Sequence, residues 1–232
     1  MLNIRKHRAV MFEILQDIYR SPAGAYLAFK GGTMLYFFHG LDRFSVDLDF
    51  DLLDESKKDL VSQEIVKILE TKGKIKDQME KRFILFFLLS YGDGERGIKI
   101  EISKRNPLQN RYELKNFYGV DVKVMKLEDS FSNKLIAAVE RKRTANRDFY
   151  DIYFLLRRQT DFNQEIIMER TGKNGREFLL YLRKYLDKNC SEKGMLDGIG
   201  ELLDEKRKQW VRTSLKKELG NLIDFVIEEG NK

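Results

Sequence analysis

At 232 residues, with 42% hydrophobic residues that include 16 Phe and 10 Tyr, the chain has ample material for a buried core and room for one large domain or two modest ones. Its apolar periodicity persists despite 34% charged residues, which excludes a disordered chain, and 43 basic against 37 acidic residues leave a net charge of +6 that favours an anionic partner over plain solvation. The lone Cys190 excludes an internal disulfide and fits a reducing cytoplasm, His7 and His39 are too few for a zinc site, and neither a signal peptide after the basic Met1–Arg8 nor an 18-residue membrane span is evident.

From His7 to Tyr19, the residues Val10, Met11, Ile14, Leu15 and Ile18 recur at helical spacing until Pro22 and Gly24 break it. Tyr26 to Phe29 reads as the buried end of a strand or an approach to the Gly31-Gly32 turn, and a short helix follows with Thr33 near its start. Backbone N–H groups at such a start, with no Cβ on either glycine, can cradle phosphate, although a plain tight turn uses the same residues. In the stretch from Arg43 to Asp51, Val46, Leu48 and Phe50 alternate with Ser45, Asp47, Asp49 and Asp51, so a strand buries the first set and projects the second. Carboxylates two apart on a strand lie roughly 6.6 Å apart along the chain, close enough to share a divalent cation and repulsive without one.

Lys57 to Thr71 carries Leu60, Ile65, Ile68 and Leu69 at helical spacing and is stopped by Gly73. Arg82 to Tyr91 is an apolar run of strand length, and Gly92-Asp93-Gly94 reads as a hairpin turn into Ile98-Lys99-Ile100-Glu101-Ile102, whose outer face carries Glu101. Beside the first acidic strand Glu101 would join Asp47 and Asp49 around the same ions; by itself it would be a solvated residue paired with Lys99 or Lys104. The polar segment from Ser103 to Asn116, with Pro107, reads as a loop, and Val120, Val122 and Val124 as one more strand that closes a first domain, residues 1–126. In the second, residues 127–232, strand signals cease. Asp129 and Ser130 read as caps of a helix that buries Phe131, Leu135, Ala138 and Val139 and carries Lys134, with Arg141 two turns on. After the basic run Arg141-Lys142-Arg143, a helix from Arg147 to Leu156 places Asp148 and Asp151 on one face, and helical patterns continue at Arg176 to Leu186, Ile199 to Trp210 and Leu215 to Ile227. The pattern is α+β: a small mixed β-sheet flanked by helices, then a C-terminal helical bundle.

Two carboxylates on one strand, a third on a neighbour and a glycine turn upstream are the parts needed to hold a nucleoside triphosphate through magnesium for an in-line displacement. Basic residues of the second domain would neutralise triphosphate charge. Gly31-Gly32-Thr33, thirteen residues and then Asp47-Leu48-Asp49 resemble the first motif of the DNA polymerase beta type nucleotidyltransferase superfamily, with Thr33 where serine is commoner. More closely, Lys30 to Leu35, Arg43 to Asp49, Lys99-Ile100-Glu101-Ile102-Ser103, Lys134-Leu135-Ile136-Ala137-Ala138 and Arg147-Asp148-Phe149-Tyr150-Asp151 together resemble the AbiEii/AbiGii toxin family, nucleotidyltransferases of abortive-infection and type IV toxin–antitoxin systems.

The resemblance implies an N-terminal nucleotidyltransferase domain and a helical domain that completes its active site. It implies transfer of a nucleoside monophosphate from an NTP to an RNA, tRNA foremost, in the cytoplasm, with Mg2+ or Mn2+ as cofactor and an antitoxin encoded alongside. Asp47 and Asp49 match the metal ligands, Glu101 stands at the third carboxylate as ligand or base, Lys134 matches the lysine of the second motif, and the distal acidic residue is Asp148 or Asp151. Gly31, Gly32, Thr33, Arg43, Ser45, Lys134 and Arg147 are the expected nucleotide contacts. The alternatives are a protein or small-molecule acceptor, or an inactive module that only binds nucleotide or a partner. Arg141, Lys142, Arg143 and Arg147, with Lys206, Arg207, Lys208, Arg212, Lys216 and Lys217, read as either an RNA-tracking surface or a solvated face.

Overall fold

Period-two alternation of apolar residues builds a mixed sheet in the first half of the chain, and helical periodicity fills the second. The computed structural model describes residues 3–105, 109–141, 145–191 and 194–229. The chain divides into two compact units, Met1–Lys126 and Leu127–Lys232.

In the first unit, α1 (Ile4–Arg20) is capped by Asn3, whose side chain accepts from the Lys6 N–H at 3.1 Å, and it buries Met11, Ile14, Leu15 and Ile18 as their spacing predicts. Then come β1 (Leu27–Lys30), α2 (Gly31–His39), β2 (Asp47–Leu52), α3 (Lys58–Lys72), β3 (Lys74–Lys81), β4 (Ile84–Ser90), β5 (Ile98–Ser103), β6 (Tyr112–Phe117) and β7 (Val120–Met125). The strands form one sheet in the order β3-β4-β5-β2-β1-β7-β6, with β2–β5 and β1–β7 parallel and the other pairs antiparallel. The acidic strand β2 therefore lies in the middle, paired on both sides. Its residues Leu48, Phe50 and Leu52 share a buried face with Ile98, Ile100 and Ile102 of β5 and with Phe29 of β1, where the Phe29 and Phe50 rings are 5.2 Å apart. Burying one such side chain contributes about 1.5–3 kcal/mol, so the apolar face fixes the register and the carboxylates follow to the opposite face.

The second unit is helical: α4 (Leu127–Glu140), α5 (Asn146–Arg157), α6 (Gln164–Thr171), α7 (Gly175–Asn189), α8 (Glu205–Trp210), a π-helical turn at Val211–Leu215, and α9 (Lys216–Glu229). Helix α4 packs on α5 and α6, and α9 on α5 and α7. Side-chain caps start three of these helices: Asn163 for α6, a reciprocal Asn174–Glu177 capping box for α7 and Asp204 for α8. Among the described residues no helix is long and apolar enough to cross a membrane.

The mixed α+β architecture with C-terminal helices is as expected, and five local readings change. The segment from Ser103 to Asn116 is not all loop: β6 occupies its end and forms a hairpin with β7, while Pro107 lies outside the described residues. This strand was hidden because Tyr112-Glu113-Leu114-Lys115-Asn116 is polar and lies at the sheet edge, where Leu114 is 67% exposed. The other edge strand, β3, is charged for the same reason and gave no strand signal. Helix α4 begins at Leu127, so Asp129 is in its first turn and does not cap it; its buried carboxylate accepts from Asn163 Nδ2 at 2.9 Å. The helix expected from Ile199 starts only at Glu205, because Asp204 caps there after a 3-10 turn at Gly200–Leu202, and α6 lies between Leu156 and Arg176, where no element was expected.

Candidate active site

The turn from β1 into α2 has no intervening residue, and two glycines make that possible. Gly31 adopts φ +81°, which L side chains rarely take, and a methyl group there would overlap Asp49 Oδ2. At Gly32 a Cβ would come within 2.9 Å of Ser45 Oγ and 3.0 Å of Arg43 Nη2. So the two glycines let the backbone at the start of α2 press against Asp49, Ser45 and Arg43, and five residues expected from sequence are neighbours in space. Ser45 is nearly buried, and its hydroxyl makes no hydrogen bond among the described residues. Arg43 is 3% exposed and donates from Nη1 to the Phe44 carbonyl at 2.9 Å, which fixes its guanidinium beside the turn. Thr33 is fully buried, and its hydroxyl donates to the Asp47 main-chain oxygen; its observed part is to tie α2 to the start of β2.

Register then sets the carboxylates. Asp49 of β2 is the partner of Glu101 on parallel β5 and of Lys30 on antiparallel β1, and Asp47 lies opposite Lys99. Paired residues on adjacent strands project from the same face, so Asp47, Asp49, Asp51 and Glu101 form one acidic patch. Its members are not equivalent. Asp51 is fully buried and neutralised internally: Lys30 Nζ lies 2.5 Å from Oδ1, and Tyr112 Oη donates to Oδ2 at 3.1 Å. Glu101 is half-buried and makes no hydrogen bond or ion pair among the described residues; Lys104, a partner considered for it, pairs with Glu80 at 2.6 Å instead. Among the described residues no three His, Cys, Asp or Glu side chains are grouped so as to hold a metal ion on their own. A hard cation such as Mg2+ commonly takes one or two carboxylates and draws its other ligands from phosphate and water. Asp49 in register with Glu101, beside a glycine cradle that a Cβ would fill, fits that incomplete kind of site.

Support comes from a residue to which the sequence assigned no role. His7 on the buried face of α1 holds the Val46 carbonyl through Nε2 at 3.0 Å and meets Tyr91 Oη through Nδ1 at 2.8 Å, with its ring edge-on to Phe44. Burial is the main cause that pushes its pKa below the usual histidine value, so the neutral ring donates to Val46 and accepts from Tyr91. This pins the residues on both sides of Ser45. Position four residues before Met11 on the apolar face was the available sign that His7 is buried; its partners could not be read from spacing. Lys30, which clamps Asp51, likewise gave no signal beyond its place in the motif.

In the second unit Lys134 of α4 is held by both aspartates of α5. Its Nζ lies 3.1 Å from Asp148 Oδ1 and 2.8 Å from Asp151 Oδ2, with both aspartates fully buried and the lysine side chain 13% exposed. Arg141, just past α4, brings Nε to 2.8 Å from Asp148 Oδ2 but does not aim a hydrogen bond at that oxygen, so the contact is ionic. The i, i+3 spacing had placed Asp148 and Asp151 on one face; packing of α4 on α5 makes Lys134 their common partner. Arg147 is half-buried in the first turn of α5. Of the basic run only Arg141 is described; Lys142 and Arg143 lie outside the described residues.

Comparison with known proteins adds three findings. Residues 13–216 match the profile of a family described as nucleotidyl transferase AbiEii toxin, type IV TA system. The fold is similar to the crystal structure of JHP933 from Helicobacter pylori, with a TM-score of 0.67 and 22% identity over 99% of this chain and 94% of that one. It is also similar to the crystal structure of a candidate nucleotidyltransferase from H. pylori, with a TM-score of 0.64 and 20% identity over 97% of this chain and 95% of that one. No curated protein matches the chain.

Proposed function

Because the chain belongs to the AbiEii nucleotidyltransferase toxin family of type IV toxin–antitoxin systems, we propose that it transfers a nucleoside monophosphate from an NTP to an RNA acceptor, tRNA foremost, in the cytoplasm. The observation that carries the site is the pairing of Asp49 with Glu101, which makes no hydrogen bond or ion pair among the described residues, directly beside the Gly31-Gly32 turn. An acidic patch next to the N–H donors of a helix start suits a substrate that is itself anionic only when a cation bridges the two.

Asp47 and Asp49, with Glu101, would hold Mg2+ or Mn2+, which when bound neutralises phosphate oxygens and lowers the pKa of the attacking hydroxyl. The chain's own groups do the rest. Main-chain N–H groups at the start of α2 and the Ser45 hydroxyl orient the triphosphate, and Arg43 adds fixed positive charge. The acceptor hydroxyl oxygen forms a bond to the α-phosphorus as the bond to the bridging oxygen breaks, pyrophosphate leaves, and the hydroxyl proton passes to a carboxylate, for which Glu101 is the open candidate. In the second unit Lys134, its ammonium fixed by Asp148 and Asp151, is the residue that the family resemblance assigns to triphosphate charge. An antitoxin partner belongs to the same reading.

The test is incubation with each labelled NTP and total tRNA, with chelator and with metal restored. Label should enter RNA only with metal present and be lost in Asp49→Asn by at least about 100-fold. Transfer unaffected by Asp49→Asn sinks the assignment of the site, and label in protein instead of RNA sinks the acceptor. Glu101→Gln separates two roles: loss of a base alters the pH–rate profile, whereas loss of a ligand raises the metal concentration required.

A further inference from the structure

The first unit carries a second feature that the nucleotide site does not use. A groove of about 560 Å³ runs between the start of α1, the later part of α2 and the β6–β7 turn. Its walls are aromatic: Phe12 packs on Phe117 at 4.7 Å and on Tyr118 at 5.1 Å, and Phe37 on Phe117 at 5.2 Å. Its rim is cationic. Arg5 and Arg8 are exposed and form no ion pair among the described residues. A groove that only completed the core would bury its rings, yet Tyr118 is 77% exposed.

The position of Tyr118 is costly in itself. It is the first residue of a two-residue hairpin, with φ 51° at Tyr118 and 87° at Gly119, a type I′ turn for which Asn-Gly is the favoured pair. A bulky aromatic in the left-handed region is rare, and here it projects a ring beside the groove that Asn could not supply. Tyr36 links the groove to the nucleotide site. On the groove wall, it stands five residues after Gly31, about 7.5 Å along the helix axis. Its ring meets Phe44 edge-on at 5.5 Å, and Phe44 lies between Arg43 and Ser45.

Planar rings with unpaired cations beside them suit one ligand chemistry: unstacked bases joined by phosphates, as in a single-stranded nucleic acid. Aromatic walls alone would equally suit an apolar peptide, but two arginines without an ion pair among the described residues oppose any partner that is not anionic. We propose that this groove binds the single-stranded part of the RNA acceptor, with Tyr118 and Phe12 stacking on bases and Arg5 and Arg8 on phosphates. The inference rests on the RNA reading of the acceptor and names where that acceptor is held.

The experiment measures binding of a fluorescein-labelled single-stranded RNA of about ten nucleotides by anisotropy, beside transfer to tRNA. Tyr118→Asn removes the ring while giving the turn its preferred residue, so misfolding does not confuse the result, and Tyr118→Trp restores a ring. Tyr118→Asn should weaken RNA binding about tenfold, with Tyr118→Trp close to wild type and NTP binding unchanged. Changing Arg5 and Arg8 to Gln should lower the slope of log affinity against log salt by about 1.4. A blunt RNA duplex should compete poorly, because its bases remain stacked. If wild type transfers to RNA and these variants bind and transfer equally well, the groove assignment fails while the RNA acceptor stands. If wild type neither binds nor modifies RNA, both fail. An acidic protein that fills the groove without displacing RNA also overturns the assignment.

Discussion

Gly31 and Asp49 share a volume that admits only one side chain. Replacing Gly31 by Ala adds a methyl where Asp49 Oδ2 lies and forces alanine to φ +81°, so stability should fall by about 1–3 kcal/mol in urea unfolding and transfer should be lost together with it. Ser45→Ala separates function from fold at the same place. Its hydroxyl has no internal partner among the described residues, so unfolding free energy should stay within about 0.5 kcal/mol while KM for NTP rises; an unchanged KM removes Ser45 from the nucleotide contacts. Lys134 is the opposite case, since its charge compensates two fully buried carboxylates. Lys134→Met should cost about 3–5 kcal/mol because it leaves buried charge unpaired, and single-turnover assays on the remaining folded fraction then report its catalytic share.

At the scale of elements, strand register decides the chemistry. A slip of one residue between β2 and β5 would turn Glu101 toward the core and an isoleucine outward, so the buried isoleucines and Phe50 are what hold Glu101 opposite Asp49. In the second unit the π-helical turn at Val211–Leu215 sits between Trp210 and Glu218. Glu218 accepts from Trp210 Nε1 at 2.9 Å and from Tyr153 Oη at 2.8 Å, and burial first, then this carboxylate, pushes the Tyr153 phenol up to about 12. Trp210 is therefore packed on the Tyr153 ring at 4.7 Å and hydrogen-bonded to Glu218. Glu218→Leu should destabilise by about 2 kcal/mol, read from the fluorescence of the single tryptophan; a midpoint unchanged in denaturant means the clasp contributes nothing.

For the whole molecule, pH enters through His7. Its folded pKa is depressed by burial, whereas the unfolded chain protonates near 6.5. The unfolded state then binds more protons, so this contribution is fully present above about pH 6.5 and is lost as pH falls toward the folded value. Stability should decline below pH 6.5 with a slope of at most about 1.4 kcal/mol per unit from this group, and His7→Gln should flatten the profile between pH 6.5 and 5 in urea titrations. An equal slope in the variant assigns the dependence to other groups.

Apolar periodicity alone located the first helix, the acidic strand, the β4–β5 hairpin and most of the later helices, because burial imposes a period of 3.6 or 2 on any element that covers a core. The spacing of Gly31, Gly32, Asp47, Asp49, Glu101 and Lys134 carried the family as well, since those stretches must recur in order whatever surrounds them. Edge strands β3 and β6 escaped because a solvated edge imposes no apolar pattern. Only the tertiary structure could decide among like residues. Asp51 and Glu101 both looked like outward carboxylates, yet Lys30 and Tyr112 neutralise the first and nothing among the described residues pairs with the second. Such choices are made by contacts between residues far apart in the chain, at distances that periodicity does not encode. Gly31-Gly32, which by itself could have been any turn, owes its identity to Asp49 and Ser45, atoms brought against it by strands that pair elsewhere in the sequence.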